Sequence, residues 1–156
     1  MKNLPLALVF LPAADVPTFV GERRVDLGIT GRDQVAEYEA VAPSTETTGV
    51  EEILNLGFGY CKLQVQVPEK GSITRLEELI GKNIATSYTK LAEEYFGALE
   101  EKQGDKVVDG DGKQKLRTNI KYVSGSAEAA CALGMADGIM DLVGMLSLAH
   151  SIMGGV

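Results

Sequence analysis

Side chains able to do chemistry gather at two places in this sequence. One is Ser124-Gly125-Ser126 followed by Glu128, between a β-branched run at 120–123 and a run of good helix formers at 127–133. Ser126 is placed to cap that helix, and Glu128 falls in its first turn, where a carboxylate suits the dipole. A strand feeding a helix N-terminus presents free backbone N–H groups at one edge of a sheet, which is the chemistry of an anion site. The second place is Thr30-Gly31-Arg32-Asp33, closing another apolar run at 25–29. Open α/β sheets hold their ligands at the carboxyl ends of strands, where this loop falls. Gly31 reads there as a turn glycine needing positive φ. Any βαβ unit shares this pattern, so pattern alone names no ligand.

Other chemistries find less support. Cys61 and Cys131 stand in apolar surroundings and read as buried free thiols of a reducing compartment. His150 is the sole histidine, and there is no CxxC or HxxxH spacing, so no protein-built metal site is expected. A net charge of −7 argues against a nucleic-acid surface. The apolar run at 4–11 is short, bracketed by Pro5 and Pro12 and followed by Asp15, unlike a signal peptide. The apolar tail at 142–156 is shorter than a membrane span. A cytoplasmic protein without membrane or nucleic-acid partners is expected.

The elements that must position these residues follow in order. Residues 6–11 read as a parallel strand apolar on both faces, and residues 16–22 as a short helix capped by Asp15 with Pro17 in its first turn. A strand at 25–29 and a helix at 34–40 complete a βαβα set, and 42–50 is loop. After a possible hinge at 56–59, Leu63, Val65 and Val67 alternate with Gln64 and Gln66, the period of a half-buried strand. Thr74 and Glu77 have capping-box spacing before a helix that Gly81 closes. A strand at 83–87 precedes a helix at 89–103 with Leu91, Tyr95 and Leu99 on one face, Ala92 and Phe96 beside them, and Glu93, Glu94 and Lys102 outward. Residues 105–115 are an exposed loop without the spacing of a calcium loop. Gly134 is placed as a C-cap, and 139–143 reads as the last strand. Two small α/β lobes result, 1–56 and 60–143, with an apolar tail at 144–156. Such lobes suggest a cleft closing on a small ligand.

LALVFLPAADVPTFVGERRVDLGITGRDQVAE, GFGYCKLQVQVP, LIGKNIATSYTKLAEEYF and VSGSAEAACALGMADGIMDLV, in this order, resemble the catalytic region of the ATP phosphoribosyltransferase family, in particular its fungal long-form members. The resemblance covers most of 4–143. It implies transfer of a phosphoribosyl group from phosphoribosyl pyrophosphate to N1 of ATP, releasing pyrophosphate, the committed step of histidine biosynthesis. It also implies a type II periplasmic-binding-protein-like fold of two lobes, Mg²⁺ bound with the diphosphate, and a homo-oligomer, hexameric in the family.

Residue by residue, Asp141 matches the aspartate of the family's DLV motif, which opens the phosphoribosyl pyrophosphate loop and could hold ribose hydroxyls. A strand-end aspartate capping the next turn would look the same. Ser126, Glu128 and Asp137 match the same signature, as loop-shaping or substrate-binding residues. Asp26, Gly28, Thr30, Gly31 and Asp33 match the DxGxTGxD pattern beside the nucleotide. Thr86, Ser87 and Tyr88 end a strand and face the cleft by position. Lys62 is the basic residue of a matched motif, read equally well as a solvated strand-end lysine.

Past Val143 the sequence departs from the family. Gly144-Met145-Leu146-Ser147 stands where the family has an acidic residue, a Ser/Thr-Gly pair and a threonine that wrap the 5′-phosphate. The family's first strand, with its Lys-Gly-Arg-Leu motif, and its regulatory domain find no match either. The expectation is a fold incomplete at both ends, with compromised catalysis. The alternative is a non-catalytic nucleotide or small-molecule binding module, or an inactive partner of a complete enzyme.

Overall fold

The computed structural model describes residues 3–104, 115–144 and 151–155, the last for its backbone only. The chain divides into two compact units, Met1–Leu56 and Gly57–Val156.

The first unit holds two helices, α1 (Val16–Gly21) and α2 (Arg32–Val41). Pro17 sits in the first turn of α1, where its missing N–H costs nothing. Asp15 occupies the N-cap position, but its side chain makes no capping bond. The helix ends on Arg23 in the left-handed region, with Arg24 N–H returning to the Phe19 carbonyl at 2.8 Å. The strands expected at 6–11 and 25–29 do not form. Leu6, Leu8, Val9 and Phe10 are exposed, Phe10 at 90%, and so are Leu27 and Ile29. A strand exists only through a ladder, and among the described residues neither segment finds one. Only Pro17 and Gly21 of this unit's described residues are buried.

The second unit is a mixed α/β sheet. β1 (Cys61–Gln66), β2 (Asn83–Thr86), β3 (Asn119–Tyr122), β4 (Gly138–Gly144) and β5 (Ser151–Gly155) lie in the order β3-β2-β4-β1-β5. β2 runs parallel to β3 and β4, while β1 is antiparallel to β4 and β5. α3 (Thr89–Lys102) links β2 to its parallel neighbour β3, and α4 (Ala127–Ala132) links β3 to β4, which runs parallel to it on the far side of β2.

Alternation along the central strands divides the core in two. Ile84 and Met140 pack with Leu63, Val65, Ala92 and Phe96, whereas Ala85 and Ile139 pack with Ala127 and Ala130. Neighbouring residues of one strand thus serve opposite faces, α3 covering one and α4 the other. This double cover is why β2 is buried at Ile84, Ala85 and Thr86 in succession. On α3, Ala92 and Phe96 are fully buried, and Leu91, Tyr95 and Leu99 flank them, as the helical period predicts. Burying a side chain such as Phe96 contributes about 1.5–3 kcal/mol.

Several local expectations shift. Residues 76–79 form a 3₁₀ turn, Leu76–Leu79, and not an α-helix. Its start is held by Glu78, whose carboxylate accepts the Thr74 N–H at 2.8 Å and the Arg75 N–H at 3.3 Å, one residue beyond the expected Thr74–Glu77 spacing. Those two bonds, with Arg75 nearby, hold its carboxyl below the usual range. Gly134 follows the C-cap of α4 with φ +71°, and Met135 N–H closes the motif on the Ala130 carbonyl. The expected loop at 105–115 falls, up to residue 114, outside the described residues, as do 145–150 of the expected tail.

Candidate functional site

The three parallel strands β3, β2 and β4 point their carboxyl ends the same way. Ala85 pairs with Ile139 and Thr86 with Tyr122, so continuing the register sets Ser87 level with Asp141 on one side and Val123 on the other. Val123 N–H donates to the Thr86 carbonyl at 3.0 Å, which carries the β2–β3 ladder one step further. The turn Ser124-Gly125-Ser126 follows, with Gly125 at φ +70°, a conformation glycine adopts without cost. Ser126 is the N-cap of α4, yet its side chain makes no capping bond, contrary to expectation. Ser124, Ser126 and Glu128 are exposed. This carboxyl edge therefore collects Ser87, the 124–126 turn and Asp141.

Asp141 is not at a strand end. β4 continues to Gly144 because antiparallel pairing with β1 outlasts the parallel ladder with β2. Its half-buried carboxylate accepts the Leu142 N–H at 2.7 Å and stands opposite Gln64. By alternation it shares the α4 side of the sheet with Ile139.

Two expected cleft residues are turned inward. Tyr88 is 4% exposed and packs in the α3 core with Phe96. Thr86 is fully buried, and its hydroxyl oxygen accepts the Tyr88 N–H at 2.9 Å. These two residues shape the β2–α3 turn, leaving Ser87, half-buried, as its outward member. Asp137 lies at the other end of the strands, before β4. Its carboxylate accepts the Asn83 N–H at 2.9 Å and the Asn83 amide at 3.3 Å, tying β4 to the start of β2. The Asn83 N–H above all, with Lys82 and Lys121 adding to it, holds this carboxyl below the usual range against the opposing effect of burial. Asp137 is thus not brought together with Asp141.

In the first unit, Gly28 packs on α1: a Cβ there would meet Val16 and Val20 side chains. Thr30 donates its hydroxyl to the Ala13 carbonyl at 2.8 Å, and Asp26 is exposed. Gly31 is the N-cap of α2 at φ −75° and ψ 147°, so the expected positive φ is wrong. What glycine provides there is room: an added Cβ would run into the Asp33 carboxylate. Asp33 also accepts the Gln34 amide at 2.7 Å.

Cys61 is exposed and not buried as expected, because it opens β1 on the strand's outer end. Cys131 is half-buried, and burial, with Asp137 near it, pushes its thiol up, away from nucleophile chemistry. Among the described residues no three His, Cys, Asp or Glu side chains group to hold a metal ion, and no helix is long and apolar enough to cross a membrane. A groove lined by Glu93, Glu94, Glu101 and Thr118 lies beside α3 and the start of β3, away from the carboxyl edge. Sequence reasoning missed Glu100, fully buried on α3, whose carboxylate takes the N–H of Arg117 and both donors of Thr118. The only available signal was its i+4 spacing from Phe96 on the core face.

The ATP phosphoribosyltransferase family model matches residues 12–145, most of both units. The chain belongs to that family. The ATP phosphoribosyltransferase of Yarrowia lipolytica is 62% identical over 141 residues, which are 90% of this chain and 42% of that protein. Its counterpart in Saccharomyces cerevisiae is 54% identical over 141 residues, with the same shares covered. The chain thus spans about two-fifths of the length of the curated relatives it matches. Among solved structures, the ATP phosphoribosyl transferase (HisG:HisZ) complex from Thermotoga maritima matches with a TM-score of 0.58 and 21% identity, over 85% of this chain and 53% of that one. That likeness is one of fold.

Proposed function

We propose that this chain carries the phosphoribosyl pyrophosphate platform of an ATP phosphoribosyltransferase, the enzyme that opens histidine biosynthesis. The observation that carries the reading is the carboxyl edge of the second unit, where the family-matched residues Ser87, Ser124–Ser126 and Asp141 converge within the matched span. The first unit, with Asp26, Thr30 and Asp33, would bind ATP, and the fold would be of the periplasmic-binding-protein-like class that the family implies. Assembly into a homo-oligomer in the cytoplasm belongs to the same reading.

In this reaction adenine N1 attacks the anomeric carbon, and the carbon–oxygen bond to the diphosphate breaks with its electron pair leaving on the diphosphate. No protein nucleophile is required. The protein aligns N1 with the carbon, supports an oxocarbenium-like transition state and stabilises the departing charge. Asp141 would accept hydrogen bonds from the ribose hydroxyls and offset the positive charge that develops on the ring. Backbone N–H groups of the 124–126 turn would meet phosphate oxygens. Magnesium would enter as part of the diphosphate substrate.

The test is calorimetric titration of the purified chain with magnesium phosphoribosyl pyrophosphate, followed by a turnover assay that adds ATP and records phosphoribosyl-ATP absorbance. Binding is expected, and Asp141→Asn should weaken it about tenfold, the worth of one charge-assisted hydrogen bond. Turnover is expected to be slow, because Gly144-Met145-Leu146-Ser147 replaces the hydroxyl-bearing loop of the family. A chain that binds neither phosphoribosyl pyrophosphate nor ATP would refute the reading.

A further inference from the structure

Asp141 has a neighbour across the β1–β4 ladder that the reading above leaves without a task. Gln64 stands opposite Asp141, and Lys62 opposite Val143. Side chains alternate along both strands, so Lys62, Gln64, Asp141 and Val143 project from one sheet face. It is the face on which α4 covers Ala85 and Ile139. Lys62 and Asp141 are diagonal neighbours, about 7–8 Å apart and within reach of a long side chain.

Lys62 is exposed, and among the described residues it enters no ion pair, unlike Arg75 with Glu77 and Lys90 with Glu93. Lys90, also near this edge, holds the Glu93 carboxylate at 2.7 Å. Lys121, on the same face, donates at 2.9 Å to the Met135 carbonyl, towards the opposite end of the sheet. In a chain of net charge −7, Lys62 is thus, among the described residues, an ammonium without an ion pair beside the aspartate that the reading assigns to the sugar. A carboxylate and an ammonium set side by side but not bonded divide a ligand between them. The carboxylate accepts from hydroxyls, and the ammonium donates to anionic oxygens.

We infer that Lys62 is the side chain that holds the diphosphate of the sugar substrate while Asp141 holds its hydroxyls. The inference rests on the function proposed above and adds a residue to that site. It separates the sugar diphosphate from the nucleotide, since ATP phosphates would be met on the first unit and would not depend on Lys62.

The experiment titrates the wild-type chain, Lys62→Ala, Lys62→Arg and, as a control on the same unit, Lys70→Ala with three probes: magnesium phosphoribosyl pyrophosphate, magnesium pyrophosphate and AMP. Lys62→Ala should weaken the first two about tenfold or more, as loss of a charge-assisted contact does. It should leave AMP unchanged, and Lys62→Arg should restore most of the loss. Lys70→Ala should match the wild type. Pyrophosphate and phosphoribosyl pyrophosphate binding unaltered in Lys62→Ala would overturn the inference and leave the proposed function standing. Equal loss of AMP and diphosphate binding would overturn it too. A wild-type chain that binds neither diphosphate probe nor AMP would overturn both.

Discussion

Replacing Glu100 perturbs the joint by which β3 enters the sheet. Its carboxylate is fully buried, with one oxygen accepting the Thr118 N–H at 2.9 Å and the Thr118 hydroxyl at 2.7 Å, and the other accepting the Arg117 N–H at 3.0 Å. The Thr118 hydroxyl oxygen in turn accepts the Gly81 N–H at 3.3 Å, and the Asn119 N–H reaches the Lys82 carbonyl at 2.8 Å. One side chain of α3 thereby anchors the approaches to both β2 and β3. In Glu100→Ala the Thr118 N–H loses its acceptor in a buried setting, at about 1–3 kcal/mol, and the Arg117 N–H loses its own in a part-buried one, at about 1–2 kcal/mol, while the hydroxyl can rotate to another partner. The loss should therefore be about 2–5 kcal/mol, a large share of the ~5–15 kcal/mol that holds a small domain folded. Glu100→Gln keeps the shape but turns an amide N–H₂ towards one donor, so about 1.5–3 kcal/mol is expected. Urea unfolding of wild type and both variants measures these values, with hydrogen exchange at the Arg117 and Thr118 amides reporting the local joint. A Glu100→Gln chain within about 0.5 kcal/mol of wild type, with those amides still protected, would refute the account.

Two further predictions concern Asp137 and Gly31. The Asp137 carboxyl is held below its ordinary range chiefly by the Asn83 N–H, so the folded state binds its proton less tightly than the unfolded chain does. Its contribution is present above the unfolded value of about 3.9 and is lost as pH falls through the depressed folded value. Asp137→Asn should therefore be less stable than wild type at neutral pH, and the gap should narrow below about pH 4 in a series of urea titrations; a gap that widens on acidification would contradict the assignment. Gly31→Ala meets only the movable Asp33 side chain, at an ordinary φ of −75°. It should change stability by no more than about 0.5 kcal/mol, where a left-handed glycine would cost ~1–2 kcal/mol. Thermal unfolding of the variant distinguishes the two.

The second unit was legible because its elements report their surroundings through local period. Leu63 and Val65 alternate with Gln64 and Gln66, and the Ala92–Phe96 stripe of α3 has helical spacing, so one covered face per element could be read directly. Bonds that join distant segments were not legible. Nothing at Glu100 announces Thr118, and nothing at Lys62 announces Asp141, because both relations arise only when strands pair. Tyr88 and Thr86 failed for a related reason: a strand's carboxyl end fixes where the backbone leaves the sheet, while burial decides which side chains of the turn remain outside. The first unit is the plainest case. Residues 6–11 have the composition of a doubly covered strand, yet Phe10 is 90% exposed and no ladder forms among the described residues. Composition records the environment for which a segment is suited, and pairing is a property of two segments at once. The apolar character of these two segments and their exposure are therefore consistent with each other. The first states what each segment needs, and the second states that the described part of this chain does not supply it.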